Sequence, residues 1–285
     1  MSETFDGDWL ALREGFDAAA RSMELATRFA AALPERPVIM DLGAGAGSLF
    51  RWLAPIIGRD QAWLLVDADA GLLARAQAMT AAWGKRLGFE VLVRNGLTLR
   101  TPTGVWRIGV RIANIADIGT IGADAADGVV CSALLDLVST RWIEGLVAEM
   151  RGPLLACMNV DGRDAFRPGH AGDAAVRVGF RRDQARDKGF GPSVGPRAEA
   201  AVRRAFAARG YAVTAMASEW RVPGAAVEMA RALVRGHAAA ASRWMPAARG
   251  TIAVWEHARL RQAVAGRLAL RIGHRDLLAL PGGEH

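Results

Sequence analysis

Residues 38–48 read V-I-M-D-L-G-A-G-A-G-S, and this stretch decides the fold. Val38, Ile39 and Met40 form a short apolar run that ends at Asp41 and Leu42. Gly43, Gly45 and Gly47 follow at alternate positions, and an amphipathic pattern begins at Ser48. Glycines spaced this closely allow positive φ and leave no Cβ between the main chain and a ligand, so a flat polar molecule can lie against the turn. The helix that follows would point its unpaired N–H groups into the same space. Strand, glycine turn and helix together predict a ligand crevice at the carboxyl end of a first parallel strand.

A second apolar run, residues 62–66, ends in Asp67, about twenty residues beyond the turn. A nicotinamide dinucleotide turn would read G-x-G-x-x-G, with the third glycine setting helix–strand packing. Counted from Gly43, that third position is Ser48. A dehydrogenase is therefore disfavoured. The pattern present is D-x-G-x-G-x-G with an acid closing strand two.

Over residues 36–160 this arrangement resembles the class I S-adenosylmethionine-dependent methyltransferases. The resemblance implies a doubly wound α/β fold with a mostly parallel seven-stranded sheet, whose last strand is inserted antiparallel to its neighbours. It also implies S-adenosylmethionine as cofactor. Carried over by position, Asp41, Gly43, Gly45 and Gly47 would form the turn that holds the methionine part. Asp67, with Ala68 beside it, would take the ribose hydroxyls. Asn114 and Ile115 fall where that family flanks adenine, and an amide can both accept from the adenine amino group and donate to a ring nitrogen. Asp117 is a nearby alternative. Ser132, at the end of the fourth strand, would open over the sulfonium.

The rest of the chain was read by periodicity. Residues 8–33 carry apolar groups at helical spacing and stop at Pro34, giving one leading helix that packs beside the pocket or caps it. Strand one spans 38–42, and a helix from Ser48 ends at Gly58. Asp69 is placed to cap the next helix, which frees Asp67 for ligand. Residues 89–94, Asn95-Gly96 and 97–99 predict an inserted hairpin, and 105–113 the third parallel strand. Residues 127–132 read nearly all apolar, as a central fourth strand should. The fifth strand is expected at 154–158. Residues 161–197 form a polar, lid-like insertion, and Phe166, Val176, Val178, Phe180 and Phe190 argue that it is ordered. Helices over 197–209, 224–245 and 251–267, a strand over 211–218 and closing strand material over 268–280 complete a single domain, residues 1–285. The closing material includes 269–280, the segment that could be the antiparallel insert.

The chain has 285 residues, 52% of them hydrophobic and 23% charged, enough to bury a sizeable core. Its apolar runs are interrupted within about ten residues, short of the roughly twenty that span a bilayer. Glu3, Asp6 and Asp8 make the beginning acidic, unlike a secretory signal, and a cytoplasmic protein is expected. A net charge of +7 invites a nucleic-acid partner. Only Lys85 and Lys188 are lysines, however, and the arginines are scattered beside acids, which reads better as a solvated surface. Cys131 and Cys157 fit buried thiols in neighbouring strands. The five histidines are isolated, and no metal site is expected.

Transfer from a sulfonium requires mainly alignment of nucleophile, methyl carbon and sulfur. A general base is needed only when the acceptor holds its proton at neutral pH. The candidates are His170, by intrinsic pKa, then Asp183 and Asp136. A lone loop histidine is more often a surface residue, and Asp136 also reads as a helix N-terminal acid. The expected activity is methylation of a small-molecule acceptor. An RNA or protein methyltransferase and a non-catalytic scaffold of the same fold are the alternatives.

Overall fold

A computed structural model describes residues 7–94 and 96–282. The leading segment is two helices where one was expected: α1 (Gly7–Ala20) and α2 (Met23–Ala31). The break has a local cause. Ser22 caps α2 by accepting from the Leu25 amide at 3.2 Å, and its own amide donates to Asp276 at 2.7 Å.

β1 (Val38–Leu42), α3 (Ser48–Ile57), β2 (Gln61–Asp67) and α4 (Ala70–Arg86) follow in the expected order. Gly58 ends α3 in the left-handed conformation. Asp69 caps α4, accepting from the Gly71 and Leu72 amides. β3 (Glu90–Val93) and β4 (Leu97–Thr101) form the inserted hairpin, and β5 (Gly104–Ile112) pairs parallel to β2. Asn95, the first residue of the hairpin signal, lies outside the described residues. β6 (Gly128–Ser132) is the buried central strand, followed by α5 (Thr140–Glu149).

The fifth strand is far longer than the expected 154–158. β7 runs from Leu154 to Arg167, so the first part of the supposed lid is sheet. α6 (Asp173–Gln184), α7 (Ala198–Ala207), β8 (Tyr211–Ala217), β9 (Trp220–Val222), α8 (Val227–Trp244), α9 (Arg249–Val264) and β10 (Ala269–Pro281) complete the chain. β7 was cut short in the sequence reading because Asn159, Asp161, Arg163 and Asp164 break the apolar run. These polar groups sit on a strand extension that pairs with β10, from Ala269 to Ala279.

The sheet order is β3-β4-β5-β2-β1-β6-β7-β10-β8, with β9 pairing β10. β5, β2, β1, β6 and β7 are parallel, and β10 is inserted antiparallel between β7 and β8. Two apolar cores lie on the two faces of this sheet. One gathers Leu25, Phe29, Phe50, Leu53, Trp63 and Trp106 and continues under α8 and α9. The other joins Trp142, Leu146, Val202, Phe206 and Leu277 under α5 and α7. Burial on both sides explains why β6 reads as a nearly unbroken apolar run. Cys131 and Cys157 are buried free thiols in the paired strands β6 and β7.

Candidate active site

The carboxyl ends of β1, β2, β5 and β6 open onto a cavity of about 440 Å3. Gly43 and Gly45 line it with φ of +67° and +51°, values at which a side chain would be strained. A Cβ on Gly43 would stand 3.6 Å from Ile115 and 3.8 Å from Leu134, within the space those two side chains enclose. The main chain of the turn is held in place by β2: the Gly43 and Ala44 amides both donate to the Val66 carbonyl, at 2.9 and 3.1 Å.

Asp67 lines the cavity at the end of β2. Its Oδ2 accepts from the Gly45 amide at 2.8 Å and its Oδ1 from the Asp69 amide at 3.0 Å. A carboxylate offers about four acceptor positions, so two remain. Asp67 therefore fastens the glycine turn to strand two while keeping acceptor capacity. Ala68, Asn114, Ile115 and Ser132 also line the cavity. Asn114 accepts the Ala116 amide at 3.1 Å, while Asp117, the alternative, does not line it.

Two expected turn residues lie beneath the cavity instead. Asp41 is buried and its Oδ2 has no hydrogen-bond partner. Burial pushes its carboxyl up to about 8; Arg21 opposes that shift and Asp67 adds to it. Gly47 starts α3, and a Cβ there would press on Ala76 and Arg51, both at 3.2 Å, so this glycine serves helix packing.

The three proposed bases are scattered. Asp136 is buried behind Leu134 and Leu137, which line the cavity. Burial raises its carboxyl to about 6, against the opposing charges of Lys188 and Arg13 and the amides of Asp136 and Val160. His170 belongs to the start of α6: its Nδ1 accepts from the Gly172 amide, and its amide donates to Asp173. Asp183 accepts from Arg243 at 2.6 Å and Trp244 Nε1 at 2.9 Å, tying α6 to α8. Neither His170 nor Asp183 lines the cavity.

Leu10, Arg13, Leu137, Lys188 and Phe190 also line the cavity, as does the 69–72 start of α4, and sequence reasoning did not single these out as site residues. Arg13 donates Nε and Nη2 to Asp17, at 3.0 and 3.2 Å, and its guanidinium lies 4.9 Å from the Trp220 ring centroid. Lys188 donates to the Gln184 carbonyl at 2.9 Å. Phe190 meets Trp142 edge to face at 6.2 Å. The segment carrying Lys188 and Phe190 is pinned to the turn after β6 by Val194 N to Val138 O, 2.8 Å, and Gly195 N to Asp136 O, 2.9 Å. The one available signal was Phe190, a large apolar group in a polar stretch.

Ala133, also in the lining, has φ of +55°, a strained value for a residue with a Cβ. Its amide donates to Cys157 O at 2.9 Å. Among the described residues no cluster of three or more His, Cys, Asp or Glu could hold a metal, and no helix is long and apolar enough to cross a membrane.

The five parallel strands and the antiparallel β10 between β7 and β8 give the chain the class I methyltransferase fold, as the sequence resemblance implies. No protein-family model and no curated protein sequence matches it. Solved structures of similar fold include a protein of Anaeromyxobacter dehalogenans designated a type II methyltransferase, with 18% identity, 91% of this chain and 97% of that one covered, and a TM-score of 0.47. A S-adenosylmethionine-dependent methyltransferase of Geobacter sulfurreducens, in complex with S-adenosylhomocysteine, shares 17% identity over 95% of this chain and 98% of its own, at a TM-score of 0.42. A cyclopropane synthase of Mycobacterium tuberculosis shares 14% identity over 90% and 82%, at 0.44. These likenesses concern the fold alone.

Proposed function

We propose that the chain binds S-adenosylmethionine in this cavity and directs its methyl group to a small-molecule acceptor. One observation carries the reading: Gly43, Gly45, Asp67, Asn114, Ile115 and Ser132, singled out from separate stretches of sequence, line a single cavity.

The lining suits the cofactor chemically. The left-handed Gly43 and Gly45 expose bare main chain to a ligand, and Asp67 retains acceptor positions for ribose hydroxyls. Ile115 and Leu134 offer apolar contact to a flat base, with the Asn114 amide beside them. Arg13 and Lys188 are the two cations of the lining and would receive carboxylates. When bound, the cofactor supplies a methyl carbon on a positively charged sulfur whose leaving group is a neutral thioether.

The protein's own task is then alignment and exclusion of water. α1, through Leu10 and Arg13, and the 185–195 segment, through Lys188 and Phe190, wall the cavity on the side where an acceptor enters. A volume of about 440 Å3 falls in the range of small-molecule pockets and supports a small acceptor. With His170, Asp183 and the buried Asp136 all outside the cavity lining, the acceptor would arrive as a competent nucleophile.

Calorimetric titration with S-adenosylmethionine and S-adenosylhomocysteine tests the cofactor. Absence of both heat and thermal shift at saturating ligand would overturn it. Labelled cofactor incubated with cell extract, followed by identification of the labelled product, tests the acceptor. Label that enters only RNA or protein would overturn the small-molecule reading.

A further inference from the structure

The end of the sheet farthest from β8 is an uncovered edge. Among the described residues β3 has a neighbour only on its β4 side, and Leu87, Leu92 and Val93, three large apolar side chains within seven residues, are 53%, 36% and 75% exposed there. The crossover between β5 and β6 carries no α-helix. It holds two 3-10 turns, Ile118–Thr120 and Ala123–Ala125, and these pack with α5, away from the hairpin. The outer face of β3, β4 and β5 is consequently bare, lined by Leu92, Arg94, Thr98, Arg100, Val105 and Arg107.

β3 with the residue that follows it, E-V-L-V-R over residues 90–94, is self-complementary when read in both directions. The Arg94 amide donates to Gly96 O toward β4 at 3.1 Å, and Leu92 pairs with Thr98. By the alternation of an antiparallel ladder, Val91 and Val93 then turn their N–H and C=O groups outward. A second β3 laid antiparallel with Leu92 opposite Leu92 sets Val91 against Val93 of the second copy on both sides of the two-fold axis. Those two pairs exchange four main-chain hydrogen bonds. The same register sets Glu90 against Arg94 of the second copy, again twice. Sliding the strand by two residues, the smallest shift that keeps the faces matched, places Glu90 or Arg94 against Leu92 instead. Only the centred register pairs opposite charges and apolar with apolar.

We infer that β3 is a homodimer edge: two copies of this chain pair β3 to β3 about Leu92 and continue the sheet across the two-fold axis. An exposed apolar edge with unpaired main-chain groups invites such pairing, and Glu90 and Arg94 flank the contact without interrupting it. The cavity opens at the carboxyl ends of the parallel strands, so each copy keeps its own.

Sedimentation equilibrium on the full chain, with Glu90→Arg, Arg94→Glu and the double exchange, tests the inference. Glu90 and Arg94 are both exposed; Glu90 also meets Arg100 of β4 at 3.8 Å, a solvated pair of little weight, and circular dichroism and thermal melting check that each variant keeps the parental fold. The parent is expected at twice the 30.3 kDa chain mass. Each single variant brings two like-charge cross-strand pairs together and weakens the dimer roughly tenfold or more; the double exchange restores it. A parent that stays at the mass of one chain throughout the micromolar range overturns the inference. So does a dimer that neither single variant weakens, or one that the double exchange fails to restore.

Discussion

Arg51 donates to both carboxylate oxygens of Glu14, Nε at 2.8 Å and Nη2 at 2.7 Å, while its Nη1 donates to the Ala46 carbonyl at 2.7 Å. A single buried guanidinium on α3 thus fixes helix α1 to the glycine turn. Removing one partner of a buried pair leaves the other charge desolvated. Glu14 is partly exposed, which moderates the loss. Glu14→Ala is expected to destabilise the fold by about 2 kcal/mol and to loosen Leu10 and Arg13 from the cavity. Urea unfolding and cofactor titration on the same variant measure both effects. Unchanged values in both would show that α1 docks without this clamp.

Asp67 accepts two backbone amides and, in the proposed function, two ribose hydroxyls. Charge-assisted hydrogen bonds contribute about 1.5–3 kcal/mol each, so Asp67→Ala should weaken S-adenosylmethionine binding roughly a hundredfold. The chain should still fold, because Asp67 ends a strand at the cavity wall. Calorimetry that gives the parental affinity would remove the ribose from this position.

Asp41 supplies a pH signature. Its carboxyl is raised from 3.8 to about 8 by burial, so the folded chain holds a proton that the unfolded chain has released. The associated stability is complete below the unfolded value and is lost as pH rises through the folded one. Asp41→Asn cannot ionise. Its Tm relative to the parent should therefore climb steadily between pH 5 and pH 8. A difference that stays flat over that window would mean that Asp41 is already ionised when folded.

His170 lies at the start of α6, outside the cavity lining. His170→Ala should accordingly keep kcat within about a factor of two, far less than the hundredfold or more that loss of a general base produces. A larger loss, with cofactor affinity intact, would require the 168–172 turn to reach the acceptor.

Phe190 lines the cavity and packs on Trp142, on the side where the proposed function admits the acceptor. Phe190→Ala removes an edge-to-face contact and part of the cavity wall, and should raise the acceptor KM about tenfold while leaving cofactor affinity within a factor of two or so. Equal losses in both would place Phe190 against the cofactor.

The cofactor half was legible because its signals are local. Gly43 and Gly45, the acid ending β2 and the Asp69 cap each depend on a few adjacent residues, whereas the burial of Asp41 and the packing of Gly47 on Ala76 depend on elements far along the chain. The opposite wall of the cavity was not legible, because Leu10 and Arg13 come from α1 while Lys188 and Phe190 come from a segment held by hydrogen bonds to residues 136–138 and by the packing of Phe190 on Trp142. Such tertiary docking leaves no periodicity in sequence. His170 and Asp183 were attractive for their side-chain chemistry, yet Gly172, Asp173, Arg243 and Trp244 occupy them. The extension of β7 beyond the expected 154–158 is hidden for a related reason: its polar second half pairs with β10, a partner more than a hundred residues away.

That long pairing has a mechanical consequence. β7 leaves the central sheet and β10 returns to it along one antiparallel ladder beneath α6, α8 and α9, so the same two strands belong to the central sheet and to its helical annex. No pair of single-stranded connections separates the two, and a hinge would have to break a ladder of main-chain hydrogen bonds. The 185–195 segment, by contrast, is held outside any ladder, by the Val194 and Gly195 amides and the Ser193 hydroxyl against the turn after β6, a latch beside a weld.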